Sequence, residues 1–169
     1  HGVDSDGTKA TRLNVVPFSP NENGIKMRDT DWRDDIKEKV ETFQPDLIAL
    51  STTEDMWLLG ARMLEAIEEF ILRHRIPVIA GGVFPTFAPE LVIKHRLVDM
   101  VCVGEGEDTL IDLCDRIKKG DAWNDVTNLW IKQKDGSISK NSIAKSFEIN
   151  DTPIIDIDLF EEQRLYRPM

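Results

Sequence analysis

Strand and helix alternate closely through the middle of this chain, and that predicts an α/β fold. The expected form is an open, doubly wound, mostly parallel sheet, with an appended β-hairpin and a C-terminal linker. Two observations carry the prediction. Three short, nearly continuous apolar runs read as strands buried on both faces: Asp46-Leu47-Ile48-Ala49-Leu50-Ser51, Pro77-Val78-Ile79-Ala80 and Asp99-Met100-Val101-Cys102-Val103. Between and after them lie segments whose apolar residues recur at helical spacing, joined by only a few residues each.

Taken in order, residues 12–18 read as a short edge strand, because Pro17 cannot donate to a central ladder. Ser19-Pro20-Asn21-Glu22-Asn23-Gly24 is turn chemistry throughout. Asp29 and Thr30 offer an N-cap to a helix marked by Trp32, Ile36, Val40 and Phe43, and Pro45 forbids its continuation. After the first buried strand, residues 57–74 predict one helix. Ala61, Leu64, Ile67 and Ile71 form its stripe, with Met63 and Phe70 beside it. The second strand ends at Gly81-Gly82, and a shorter helix over residues 89–95 opens on Pro89, where the missing N–H costs nothing. The third strand ends at Gly104. The helix after it is expected to bury Leu110, Leu113, Cys114 and Ile117 and to stop at Gly120. Residues 126–133 then alternate as a strand, Asp135-Gly136 makes a tight turn, and Ser137-Ile138-Ser139 returns. From Asn141 on there is no period. Residues 151–156 read as an extended linker, with a helical turn near residues 159–163.

Composition narrows the function. The 169 residues carry 21 basic and 31 acidic side chains, a net charge of −10. That balance argues against a surface that tracks phosphate backbones, so no nucleic-acid partner is expected. No stretch approaches the roughly 20 apolar residues of a membrane span. Cys102 and Cys114 are too few for a disulfide scaffold, and neither belongs to a CxxC or Cys/His pattern. A reduced, cytoplasmic setting is the expectation, with no metal site. The chain opens at His1 with no charged start leading into an apolar run, and it closes on Tyr166-Arg167-Pro168-Met169; it reads as a piece of a longer polypeptide.

In an open α/β sheet, ligands bind outside the carboxyl ends of the strands. Here the strands run out into Ser51-Thr52-Thr53-Glu54-Asp55, into Gly81-Gly82-Val83-Phe84-Pro85-Thr86, and into Gly104-Glu105-Gly106-Glu107-Asp108. Small residues and hydroxyls sit at these ends, so a bulky ligand could approach the backbone closely. The plainer reading is that Gly81-Gly82 is a tight strand-to-helix turn and that Glu105, Glu107 and Asp108 complement a helix dipole. Other ligands fit worse. Gly104-Glu105-Gly106-Glu107-Asp108-Thr109 lacks the third glycine of a dinucleotide fingerprint, and its carboxylates would repel a pyrophosphate. Asp46 and Asp99 stand at strand starts, on the wrong edge for a phospho-acceptor, and no GxSxG elbow occurs. His74 and His95 close helices, Cys102 and Cys114 read as core thiols, and Trp57 reads as core packing or as a stacking surface at the first loop. No nucleophile–base pair is visible, and no catalytic residue is expected.

Residues 45–120 nonetheless follow a familiar order. Pro45-Asp46-Leu47-Ile48-Ala49-Leu50-Ser51 is followed by Pro77-Val78-Ile79-Ala80-Gly81-Gly82-Val83-Phe84-Pro85-Thr86-Phe87-Ala88-Pro89-Glu90. Then comes Val98-Asp99-Met100-Val101-Cys102-Val103-Gly104-Glu105-Gly106-Glu107. Together these stretches resemble the cobalamin-binding domain of B12-dependent radical SAM proteins. The hairpin from Asn128-Leu129-Trp130 to Asp135-Gly136 and the tail from Phe160 to Met169 resemble that family's bridge to its barrel.

The resemblance implies a Rossmann-like, flavodoxin-like fold that holds cobalamin. Residues 1–122 would form that domain, lacking its first strand and helix. Residues 123–169 would form the hairpin and linker toward a radical SAM barrel in cis, with a [4Fe–4S] cluster and S-adenosylmethionine, in a methyltransferase-like or cyclase-like enzyme. By position, Ser51, Thr52 and Thr53 would meet the nucleotide tail. Gly81 and Gly82 would let the tail pass, with Val83 beside them also cofactor-binding, and Gly104, Glu105 and Gly106 would line a third wall. Glu105 or Glu107 could accept hydrogen bonds from corrin side-chain amides. The DxHxxG motif that supplies a lower axial histidine is absent, which leaves that ligand open. The rival expectation is a degenerate Rossmann-like domain without cofactor, serving as an interaction or regulatory platform.

Overall fold

Two apolar clusters on opposite faces of one sheet organise the chain. The structure, a computed structural model, describes residues 30–144. The strand expected over residues 12–18, the turn after it, and the linker and helical turn beyond residue 150 lie outside the described residues.

α1 (Trp32–Phe43) is capped by Asp31, whose carboxylate accepts from Arg33 N at 2.8 Å; the cap is therefore Asp31 rather than Asp29 or Thr30. Gln44, left-handed at φ 53°, ends the helix before Pro45. β1 (Ile48–Ser51), β2 (Val78–Gly81) and β3 (Met100–Cys102) pair in parallel, in the order β1-β2-β3. The hairpin of β4 (Leu129–Lys132) and β5 (Ile138–Lys140) continues this sheet: β4 pairs antiparallel with β3, placing Val101 opposite Trp130.

The helix expected over residues 57–74 is two helices. α2 (Glu54–Ala66) begins a turn earlier, and α3 (Glu68–His74) follows a break at Ile67, where φ is −110° and ψ 14°. Ile67 is buried, and both Leu64 and Ile71 reach the same core, so the kink lets one apolar stripe follow a curved surface. Between β2 and β3 the chain makes two short helices, α4 (Val83–Phe87) and α5 (Pro89–Val92). Only α5 was expected, and it is shorter than residues 89–95. Pro85 hides the helical character of α4, yet like Pro89 in α5 it sits within the first turn of its helix, where no N–H is missed.

α1, α2, α3 and α5 share one face, packing Ile36, Val40, Leu64, Phe70, Ile71 and Val92 against Ile48, Val78, Ala80 and Val101. α6 (Glu107–Lys119) covers the other, setting Leu113 against Ile79, Met100, Cys102, Leu129 and Ile131. The period-2 alternation of β2 and β3 thus feeds two cores, and the sheet is doubly wound. Cys114 and Leu110, expected inside, are both exposed; Leu113 and the partly buried Ile117 carry the α6 contact.

Candidate functional site

Because β1, β2 and β3 are parallel, the three connections leaving them lie along one edge of the sheet. The nine residues expected at the site lie on these three connections, and hydrogen bonds tie the loops in series. Thr52 N donates to Gly81 O at 3.0 Å, and Phe84 N donates to Thr52 O at 3.2 Å. Gly104 N donates to Thr86 Oγ1 at 3.1 Å, which joins the second loop to the third. Glu105 O accepts from Asn128 Nδ2 at 3.0 Å and lies 3.8 Å from Cys102 Sγ. Burial pushes the Cys102 thiol up, so it is a packing group rather than a nucleophile.

The nine residues are not equivalent. Ser51 and Thr53 are exposed, whereas Thr52 is 5% exposed and turns its hydroxyl inward to donate to Thr53 O at 3.0 Å. Thr53 Oγ1 is paired with Asp55 at the start of α2. Thr52 therefore shapes the wall without offering its hydroxyl. Gly82 adopts φ 96°, and a Cβ there would stand 2.9 Å from both Ser51 Oγ and Thr52 O. Glycine at 82 is required by the approach of the two loops themselves. Gly104 also has positive φ, 98°, but a Cβ there would meet nothing within 4 Å, so its outer side is open. At Gly81 the nearest atom to a Cβ would be Cys102 Cβ at 3.6 Å, ordinary contact. Glu105 and Glu107 are exposed, and Gly106 is half-buried.

Sequence reasoning missed Thr86. Its hydroxyl fixes Gly104 N, and the only signal was a hydroxyl within the quoted Gly81–Glu90 stretch. It also missed Phe87, 84% exposed and one helical turn on from the expected Val83, itself 63% exposed, so that the two form an apolar rim on α4. Trp57 packs its ring 5.9 Å from Phe84 and 5.8 Å from His95, joining the core beneath the second loop. His74 and His95 lie on connections that enter strands, not on the loops that leave them. Among the described residues no group of three His, Cys, Asp or Glu could hold a metal ion, and no helix is long and apolar enough to cross a membrane.

The strand-exit edge is open to solvent at several of the nine positions. It presents exposed backbone at Gly82 and Gly104, an apolar rim at Val83 and Phe87, and the acceptors Glu105 and Glu107.

Comparison with known proteins bears on the same segments. The family model for the B12 binding domain matches residues 21–113. The chain is 29% identical over 119 residues to 4'-phospho-dehydrooxetanocin synthase of Priestia megaterium, covering 68% of this chain and 16% of that protein. It is 28% identical over 126 residues to an uncharacterized methyltransferase of Pyrococcus horikoshii, covering 74% and 27%. With the anaerobic magnesium-protoporphyrin IX monomethyl ester cyclase of Rubrivivax gelatinosus it shares 24% over 141 residues, 80% of this chain and 25% of the cyclase. The chain therefore spans between about a sixth and a quarter of these curated relatives. Among solved structures it resembles the cobalamin-dependent S-adenosylmethionine radical enzyme OxsB with aqua-cobalamin and S-adenosylmethionine bound. There the TM-score is 0.59 at 26% identity, over 68% of this chain and 16% of that one.

Proposed function

Since this chain belongs to the B12-binding domain family, we propose that its strand-exit edge holds the corrinoid of a radical SAM enzyme and presents it to a barrel carried in cis. The observation that carries this reading is the serial tie between three loops: Thr52 O to Phe84 N, then Thr86 Oγ1 to Gly104 N. That tie turns separate turns into one preformed surface, so little ordering opposes binding. A bound corrinoid would supply chemistry at its cobalt centre.

The residues of this chain hold and orient it. Ser51 and Thr53 face the nucleotide tail from the first loop, and Gly81 and Gly82 leave room for it along the second. Val83 shields an apolar edge, and Gly104, Glu105 and Gly106 form the far wall. Both described histidines, His74 and His95, lie on the connections that enter strands, so among residues 30–144 backbone and small side chains of the exit loops would line the corrinoid's site.

In this reading residues 1–122 are the corrinoid domain, and residues 123–169 lead toward the barrel, whose [4Fe–4S] cluster and S-adenosylmethionine belong to the whole enzyme. Methyl transfer and cyclisation are both represented among the names of its relatives. A cytoplasmic setting is part of the same reading, and the free thiols Cys102 and Cys114 suit it.

The test is a titration of the full chain with hydroxocobalamin, followed by visible absorbance and by co-elution on gel filtration. Saturation near one equivalent is expected. Val83→Glu, which places a charge on the rim, should weaken binding by about tenfold or more. Leu72→Glu, equally exposed but on α3, should not change it. No saturable spectral change, or equal losses in both variants, would remove the corrinoid from this edge.

A further inference from the structure

Asn128 stands outside the nine residues above, yet every polar atom it owns is engaged. It is 5% exposed and left-handed at φ 67°, a conformation that asparagine tolerates better than most residues. Its Nδ2 donates at 3.0 Å to Glu105 O and at 3.0 Å to Thr109 Oγ1. Its Oδ1 accepts from Ala144 N at 2.7 Å. Its main chain donates to Ser142 O and accepts from Val103 N, both at 2.9 Å. Thr109 Oγ1 passes its own proton on to Thr127 O at 3.3 Å.

An amide side chain has two N–H donors and one carbonyl, and here all three are used at once. They reach two different segments: the Glu105 wall with the first turn of α6, and the chain leaving β5 at residues 142–144. A buried side chain satisfied in this way allows few alternatives, because moving any partner strands a polar group in a dry site. An apolar packing residue would fix neither segment to the other.

We infer that Asn128 is a positioning residue for the corrinoid site, locking the Gly104–Gly106 wall in register with the segment that leads out of the domain. The inference rests on the corrinoid reading above. It has a further consequence: by reciprocity, a ligand that stiffens the wall must also stiffen the bond from Ala144 N to Asn128 Oδ1, although that amide touches no ligand.

The experiment is hydrogen–deuterium exchange by mass spectrometry on the full chain, free and saturated with hydroxocobalamin. It is repeated on Asn128→Gly and Asn128→Asp, with melts confirming that each is folded. Glycine keeps the left-handed backbone and removes all three side-chain bonds. Aspartate keeps the acceptor for Ala144 N but turns an oxygen toward Glu105 O. In the native chain, hydroxocobalamin should slow exchange both at residues 104–106 and at residue 144. In Asn128→Gly, protection at residue 144 should vanish and the Kd should rise by about tenfold. Asn128→Asp should lose a similar factor in Kd and keep the basal protection of residue 144, but hydroxocobalamin should no longer add to it.

Native protection confined to the loop, or an unchanged Kd in a folded Asn128→Gly, would overturn the inference, and the Val83→Glu result would still stand for the corrinoid reading. The native-chain measurement decides the matter even if neither variant folds. A native chain that binds no hydroxocobalamin would overturn both.

Discussion

Both edges of the parallel sheet gather polar groups, and they use them in opposite ways. Where the strands begin, Asp99 Oδ2 accepts from Val78 N at 2.9 Å, Asp99 N donates to Val78 O at 3.0 Å, and Lys132 Nζ donates to His95 O at 2.8 Å. Partners there meet each other, and the edge closes on itself. Where the strands end, the internal bonds join loop to loop and still leave Ser51, Gly82, Val83, Gly104 and Glu105 exposed. A parallel sheet offers both edges the same raw material. The difference is that glycines and small hydroxyls at the exits bring backbones together without filling the space outside them.

The comparison is tested hardest at the adjacent glycines of β2's exit. Gly82→Ala should cost about 2–5 kcal/mol in urea unfolding, from the left-handed backbone and from a methyl forced against Ser51 and Thr52. Corrinoid binding should disappear with it. Gly81→Ala has ordinary clearance, so its stability should stay within about 0.5 kcal/mol of the native value. If the nucleotide tail passes that point, Gly81→Ala weakens binding at full stability; unchanged affinity would move the tail elsewhere. A smaller effect is expected at Thr86→Val, which strands Gly104 N without disturbing a core. One neutral hydrogen bond is worth about 1 kcal/mol, or about fivefold in Kd by titration.

Much of this contrast was legible in the residues, and the misses have physical causes. Three apolar runs ending in small residues located the strands and the exit edge; β2 and β3 are buried on both faces as expected, whereas β1, at one end of the strand order, buries Ile48 and leaves Ala49 exposed. The break at Ile67 was invisible: an apolar stripe at helical spacing reads the same whether its helix is straight or kinked around a core. α4 was hidden because Pro85 reads as a breaker until its place in the first turn is known. Cys114 and Leu110 were placed inside on spacing alone, but the face of α6 is narrower than the stripe its sequence allows. Thr86 and Asn128 could not be assigned roles from sequence. Each acts across 18 or more residues, on Gly104 N in one case and on Glu105 O in the other, and no local period reports such a bond.

The smallest effect belongs to the closed edge, and its sign is specific. Burial pushes the Asp99 carboxyl up, against the pull of Val78 N–H and of Lys132. The folded chain therefore holds the Asp99 proton after the unfolded chain has released it. This contribution to stability falls as pH rises from the ordinary value of 3.8 through the raised folded one, and it is level beyond. Asp99→Asn keeps an acceptor for Val78 N and removes the titration. Variant minus native stability, from urea melts at a series of pH values, should thus increase across that window and then flatten. Hydroxocobalamin affinity should be the same in both proteins at every pH, because Asp99 lies at the strand starts, on the edge away from the exit loops. A change in affinity that follows the same pH course would mean that the closed edge is coupled to the open one, and the division drawn between them would have to be abandoned.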